Sequence, residues 1–204
     1  VPADIHEPSN LRITDVSHNG PVVEGTVLNV SMTVSNTGDV SAETDLLLKV
    51  DGVETDRIEN VTVAPESNET RTLRYTTDAD DPPEIDIVGV ENEEGTNVTE
   101  TAMVLEKQFF SVGILSTNAP VVAGEDLAVN ATVTNEGGVQ DTQVVNLTGV
   151  NESDERDAKS VKLDGGQTKN ITLVWNTDPD DNGSRAVVVR SENQSAADTV
   201  EIRE

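Results

Sequence analysis

One pattern constrains this chain more than any other: it repeats itself. PVVEG at 21–25 returns as PVVAG at 120–124, 99 residues later. MTVSNTGDV at 32–40 returns as ATVTNEGGV at 131–139 with the same offset. LRYTTDADD at 73–81 returns as LVWNTDPDD at 173–181, now offset by 100, and Glu91-Asn92 returns as Glu192-Asn193, offset by 101. An offset that grows by single residues marks two homologous units with small insertions. Each is about 95 residues long, enough for a small sandwich. The expected division is an extended arm over 1–10, a first unit over 11–106 and a second over 107–204.

Within each unit the apolar residues are mostly Val, Leu and Ile in period-2 runs, separated by Gly, Pro, Asn and Asp. That pattern predicts strands. They are expected near 11–16, 27–35, 44–50, 57–63, 70–77, 84–91 and 97–105, and again near 109–115, 126–134, 141–148, 159–163, 168–176, 185–191 and 196–203. Val30, Met32 and Val34 alternate with Asn29, Ser31 and Thr33, so one face of that strand is apolar. Ile171, Leu173 and Trp175 alternate with Asn170, Thr172 and Val174 in the same way. Asp51-Gly52 and Gly165-Gly166 read as tight turns. Asn36 and Asn135 each precede a glycine by two positions at a strand end, and Gly38 and Gly137 are expected to supply positive φ. Tyr75 and Trp175 are expected as core anchors. No stretch carries a helical period. The expected fold class is all-β: two tandem antiparallel β-sandwiches of about seven strands each.

The strings VVAGEDLAVNATVTNEGGVQ (121–140) and SVKLDGGQTKNITLVWNTDPDDNGSRAVVVR (160–190) resemble the CARDB family. The shared features are Gly124-Glu125, the Thr-Asn-x-Gly corner at 134–137, the step marked by Leu163, Gly166 and Thr168, and the ending at Trp175 and Thr177. The first unit is similar through Gly25, Asn36, Gly38 and Asp51-Gly52, with Ala64-Pro65-Glu66 in place of the glycine-rich step and Tyr75 in place of Trp. The resemblance implies cell-adhesion-related, immunoglobulin-like domains of secreted haloarchaeal surface proteins. Its motifs mark fold corners, so it implies location and role more than chemistry.

Charge narrows the function classes. The 39 acidic residues outnumber the 13 Lys and Arg, for a net charge of −26. Such a polyanion is not built to hold phosphate backbones, whose affinity comes from basic side chains, or an anionic membrane surface. No run reaches the roughly 20 apolar residues of a bilayer-spanning helix. There is no cysteine and there are only two histidines. An acidic surface with 5 Lys on a folded chain points to a halophile, where salt screens self-repulsion. A start at Val1, with no signal or transit peptide, fits a processed product or a fragment of a longer protein.

The strongest functional signal is Asn-x-Ser/Thr. It occurs at Asn29, Asn60, Asn68, Asn97, Asn130, Asn146, Asn151, Asn170, Asn182 and Asn193. The 17 Asn and 36 Ser plus Thr would give about 3 by chance. A solvent-facing strand of Asn and Thr could yield the pattern without sugar, but Asn is depleted in strands. Strand alternation also places Asn29, Asn60, Asn130, Asn146 and Asn170 outward. N-glycosylation, and therefore export, is the expectation.

Acidic loops are the remaining constellation. Asp78, Asp80 and Asp81 recur as Asp178, Asp180 and Asp181, and oxygen ligands at this spacing suit Ca²⁺ or Mg²⁺. Neither loop has the full Asp-x-Asp-x-Asp-Gly form, and the plainer reading is hydrated acidic turns. No cofactor is otherwise implied. His6 and His18, the absence of Gly-x-Ser-x-Gly and of a phosphate loop, and acids confined to turns give no catalytic constellation, so an enzyme is not expected.

The leading expectation is an extracellular structural glycoprotein, a subunit of a cell-surface filament or envelope layer. The alternatives are an adhesin or carbohydrate-binding module, or a stalk cut from a larger surface protein. Expected partners are copies of the chain joined head to tail, or other surface proteins. Candidate contacts are Val1, Ala3 and Ile5, an apolar edge of the arm, and Phe109, which aligns with Asn10 and so falls outside the core set.

Overall fold

The computed structural model describes residues 7–81, 83–91, 97–149, 151 and 153–204. The chain forms two compact units, Val1–Glu106 and Lys107–Glu204. The described residues are all-β.

The first unit contains β1 (Leu11–His18), β2 (Val22–Val23), β3 (Val27–Asn36), β4 (Ala42–Val50), β5 (Val53–Val63), β6 (Ser67–Thr76), β7 (Glu84–Glu91) and β8 (Asn97–Leu105). One sheet has the order β1-β3-β6 and the other β2-β8-β7-β4-β5. The second unit repeats this with β9 (Phe110–Thr117), β10 (Val121–Val122), β11 (Asp126–Asn135), β12 (Asp141–Thr148), β13 (Glu155–Leu163), β14 (Thr168–Asn176), β15 (Gly183–Arg190) and β16 (Ser195–Arg203). Its sheets are β14-β11-β9 and β10-β16-β15-β12-β13. Among the described residues each unit therefore has eight strands where the periodicity predicts seven. The extra ones, β2 and β10, are two residues long, too short to leave a period. They pair in parallel with β8 and β16, while every other pairing among the described residues is antiparallel.

In each unit the core lies between the three-stranded and the five-stranded sheet. Leu28, Val30, Met32 and Val34 of β3 face Leu46, Leu48 and Val50 of β4 and Ile85 and Ile87 of β7 within one buried cluster. Leu127, Val129, Ala131 and Val133 do the same opposite Val145, Leu147, Val187 and Val189. Phe110 is fully buried and Trp175 is 4% exposed, whereas Tyr75 is only half-buried against its core. Tyr75 is thus not the core centre that its size suggests; its hydroxyl holds it at the rim.

The corners depend on two asparagines. Asn36 Nδ2 donates to the Val40 and Val63 carbonyls at 2.8 and 3.2 Å, and its Oδ1 accepts from Gly38 N at 3.0 Å and Asn10 N at 3.2 Å. Asn135 Nδ2 donates to the carbonyls of Val139 and Leu163, and its Oδ1 accepts from the N–H groups of Gly137 and Phe109. The glycines two positions on do not have the expected positive φ. They are needed for close approach instead: a Cβ on Gly38 would lie 2.0 Å from the Pro8 carbonyl oxygen, and one on Gly137 1.8 Å from that of Lys107. Positive φ falls at Asp51 and Gly52, the two central residues of the β4–β5 hairpin, and at Gly166 and its counterpart Glu66. Two consecutive left-handed residues match the twist of a two-residue hairpin.

The same contacts correct the boundary of the arm. Pro8 and Ser9 press on Gly38 as Lys107 and Gln108 press on Gly137, so 7–10 has a counterpart in the second unit. Glu7 N donates to Asp39 Oδ2 at 3.0 Å, and Asn10 Nδ2 donates to Thr37 Oγ1 at 2.9 Å. Glu7 to Asn10 is therefore strapped to its own unit rather than extended from it. Val1, Ala3 and Ile5 lie outside the described residues.

Candidate functional site

Seven of the ten sequon asparagines are exposed: Asn60, Asn68, Asn97, Asn151, Asn170, Asn182 and Asn193. Asn60 sits on a bulge of the edge strand β5, with φ of 56° and its N–H donating to Asp45 Oδ1 at 3.0 Å. A bulge aims one side chain out of the ladder. Asn68 and Asn170 stand on β6 and β14, which edge their three-stranded sheets. Asn193 is exposed, yet its Oδ1 accepts from Phe110 N and Gln143 Nε2, both at 2.9 Å.

Asn29, Asn130 and Asn146 are half-buried. Asn29 and Asn130 occupy the central strand of their sheets, with neighbours on both sides. The Asn130 amide donates to Ser116 Oγ at 3.1 Å and accepts from Thr172 Oγ1 at 2.7 Å. The Asn146 Oδ1 is buried with no hydrogen-bond partner, and the hydroxyl of its sequon partner Thr148 donates to the Gly149 carbonyl at 3.0 Å. Edge strands and a bulge at Asn60, Asn68 and Asn170, a strand start at Asn97 and loops at Asn151, Asn182 and Asn193 separate the exposed sites from these three.

In the acidic loops one carboxylate folds back on its own turn. Asp81 Oδ2 accepts from Asp78 N at 2.6 Å, and Asp181 Oδ2 from Asp178 N at 2.8 Å. Asp78, Asp80, Asp178 and Asp180 are exposed. The three acids of each loop do not gather round a point, and among the described residues no three His, Asp or Glu are grouped to hold a metal. Asp81 has a further role: Tyr75 donates its hydroxyl to the carboxylate at 2.8 Å. Burial first, and then this hydrogen bond, raise the Tyr75 pKa well above its ordinary value. Phe109 is 41% exposed and lies just before β9, its N–H donating to Asn135 Oδ1 at 3.4 Å.

The second unit has a feature the sequence pattern does not announce. At the end of its core, Gly149, Asn151, Asp154, Arg156, Trp175, Asp181, Arg185 and Ala186 line an open-mouthed cavity of about 240 Å³. The Arg156 guanidinium lies 4.3 Å from the centroid of the Trp175 ring and is paired with Asp154 Oδ2 at 2.7 Å. Arg185 pairs across the ladder with buried Val200, in the place where Ile85 of the first unit pairs with buried Ala102. Opposed residues of a ladder share a face, so a cation occupies a core-facing position.

No family model matches the chain, and no curated protein matches it in sequence. Among solved structures, the chain resembles a β-glucosidase from Listeria innocua, with 20% identity over 48% of this chain and 16% of that one, at a TM-score of 0.39. It also resembles red sea bream transglutaminase, with 17% identity over 95% of this chain and 31% of that one, at a TM-score of 0.37. A Salmonella α2-macroglobulin variant shows 11% identity over 94% and 16%, at 0.39. The chain spans under a third of each of these proteins, and likenesses this loose carry no substrate or partner with them.

Proposed function

We propose that this chain is a non-catalytic, extracellular, N-glycosylated structural protein of a halophile. In this reading it consists of two tandem immunoglobulin-like units of the CARDB type, and copies join head to tail in a cell-surface filament or envelope layer. The observation that carries the reading is the exposure of seven sequon asparagines spread over both units. A soluble enzyme has no need of such a distribution, whereas a surface layer gains a hydrated coat. The charge of −26 supports it, because a dense layer of such chains is tolerable only where salt screens it.

Exposure ranks the sites. Asn60, Asn68, Asn97, Asn170 and Asn182 are expected to carry sugar before Asn29, Asn130 and Asn146. The test is the intact mass of native material, followed by site mapping. A native mass equal to that of the bare polypeptide would overturn the glycoprotein reading. For assembly, electron microscopy of native material should show filaments or sheets, and removal of residues 1–6 should shorten them. A strictly monomeric native protein would refute the assembly and leave the stalk or adhesin.

A further inference from the structure

The outward faces of the two five-stranded sheets differ in the sign of their charge. In the second unit Val145, Leu147, Val187, Val189, Val200 and Ile202 belong to the core, so the residues between them face out. The ladder sets Thr142 beside Lys162, Asn146 beside Arg190, Ala186 beside Thr199 and Ser184 beside Glu201, and opposed residues share a face. Arg203 stands on the same face, paired with Val122 one step beyond the core pair Val121 and Ile202. Among the described residues the face therefore holds three cations, Lys162, Arg190 and Arg203, against one acid, Glu201. The chain as a whole carries −26.

The first unit has the opposite sign at equivalent places. Leu48 and Leu147 hold equivalent core positions, so Glu43 stands where Thr142 stands and Asp45 where Val144 stands. Val104 pairs with Val22 as Ile202 pairs with Val121, so Glu84 corresponds to Ser184 and Asp86 to Ala186. In the other direction, Thr62 and Leu105 correspond to Lys162 and Arg203. The cations on this face are already engaged: Arg57 with Asp45 at 3.2 Å and Glu54 at 2.9 Å, and Lys49 opposite Glu54 in the ladder. Glu43, Glu84 and Asp86 are exposed, as are Lys162 and Arg203, and none of the five is in an ion pair among the described residues. The fold requires neither sign, since the same sheet is built with both.

We infer that the five-stranded face of the second unit of one copy docks on that of the first unit of the next. The inference rests on the head-to-tail reading above and names its surfaces. Basic residues meet acidic ones, and each face adds exposed apolar side chains, Val144 and Val122 on one and Met103 on the other. Four long strands spaced at ~4.8 Å, with about eight residues at ~3.3 Å each, present about 500 Å². Two such faces bury about 1,000 Å², the size of a reversible specific contact. In brine, screening beyond ~3 Å removes the repulsion between whole chains and spares ion pairs in contact. The two faces differ, so the contact is heterologous and adds copies in one direction. Sugar leaves it room. Asn146 is half-buried on the second face, and Asn97 begins β8 six residues from Met103, about 20 Å away.

Charge reversal on the full chain, followed by sedimentation in about molar salt, tests the pairing. Lys162→Glu with Arg203→Glu makes the second face acidic, and Glu84→Lys with Asp86→Lys makes the first basic. Each double variant should weaken association at least about tenfold, with circular dichroism unchanged. The lysine variant lowers the net negative charge, so general repulsion alone would strengthen its association, the opposite result. An equimolar mixture of the two variants should restore assembly, because each then offers the other a face of opposite sign. Should one variant misfold, Val144→Asp, which installs the first unit's residue at its equivalent position, should weaken association as well. A parent chain that stays monomeric rejects the head-to-tail reading and this inference with it. Assembly that neither reversal weakens overturns the inference alone, since copies then join elsewhere. Weakening that the mixture does not restore overturns it too, because the two faces would not be each other's partners.

Discussion

Replacing Asn135 by Ala tests how much one side chain holds the second unit together. The amide is fully buried and makes four bonds to backbone. Two are well formed, Nδ2 to the Val139 carbonyl at 2.7 Å and Gly137 N to Oδ1 at 3.2 Å. Two are long, to the Leu163 carbonyl and from Phe109 N, both at 3.4 Å. Removing a partner from a buried backbone group costs about 1–3 kcal/mol. Counting only the two firm bonds at ~1.5 kcal/mol each gives a loss of about 3 kcal/mol. For a unit of this size each kcal/mol moves Tm by about 4–8 °C, so the transition should fall by roughly 12–24 °C. Trp175 emission on heating reads this unit. Asn135→Asp keeps the shape and the acceptor but sets a carboxylate against two carbonyls. It should cost at least as much at neutral pH and recover in part on acidification, when the protonated acid can donate. A loss below about 1 kcal/mol for Asn135→Ala would refute the reasoning, because the corner would then be satisfied by water.

Gly137→Ala should destabilise by about 1–3 kcal/mol or more, because the new Cβ meets the Lys107 carbonyl oxygen; denaturant unfolding no different from the parent would contradict the close-approach reading. Tyr75 gives the first unit an alkaline limit. Its folded pKa is raised, so the unfolded chain loses the phenolic proton first, near its ordinary ~10. The contribution is then complete below that pH and lost as pH rises through the folded value. Denaturation measured from pH 8 to 12 should show stability falling above ~10, and Tyr75→Phe should flatten the fall; equal slopes in both proteins would count against it. Lowering salt from about 1 M to 0.1 M lengthens screening from ~3 to ~10 Å and should lower the melting temperature, whereas identical melting curves would show that self-repulsion does not govern stability.

The two-unit repeat and the inward faces of β3, β11 and β14 were legible because period 2 is a direct consequence of strand geometry. So were Asn36 and Asn135, which announce a corner by chemistry. The reason for Gly38 and Gly137 was not legible, since a glycine in sequence does not say whether it serves a dihedral or a neighbour. The polar corner was hidden for a related cause. Gly149, Arg156, Trp175 and Arg185 come from four separate places in the chain, and only the ladder register reveals that Arg185 stands where Ile85 stands.

The shortest strands have a mechanical consequence. β2 and β10 run parallel to β8 and β16, the last strand of each unit, and Glu24 N and Ala123 N extend the pairing to the carbonyls of Leu105 and Arg203 at 2.9 and 2.8 Å. Suppose the chain is pulled from its two ends and β9 gives way. The load then reaches β10 and β16 from opposite directions along their common axis. Their hydrogen bonds lie across that pull and must yield together, whereas the bonds of a hairpin pulled from its open end yield one at a time. Each unit thus carries a small shear clamp between its beginning and its end. Single-molecule extension should find that Val121→Pro, which interrupts β10, lowers the rupture force of the second unit well beyond its effect on thermal stability.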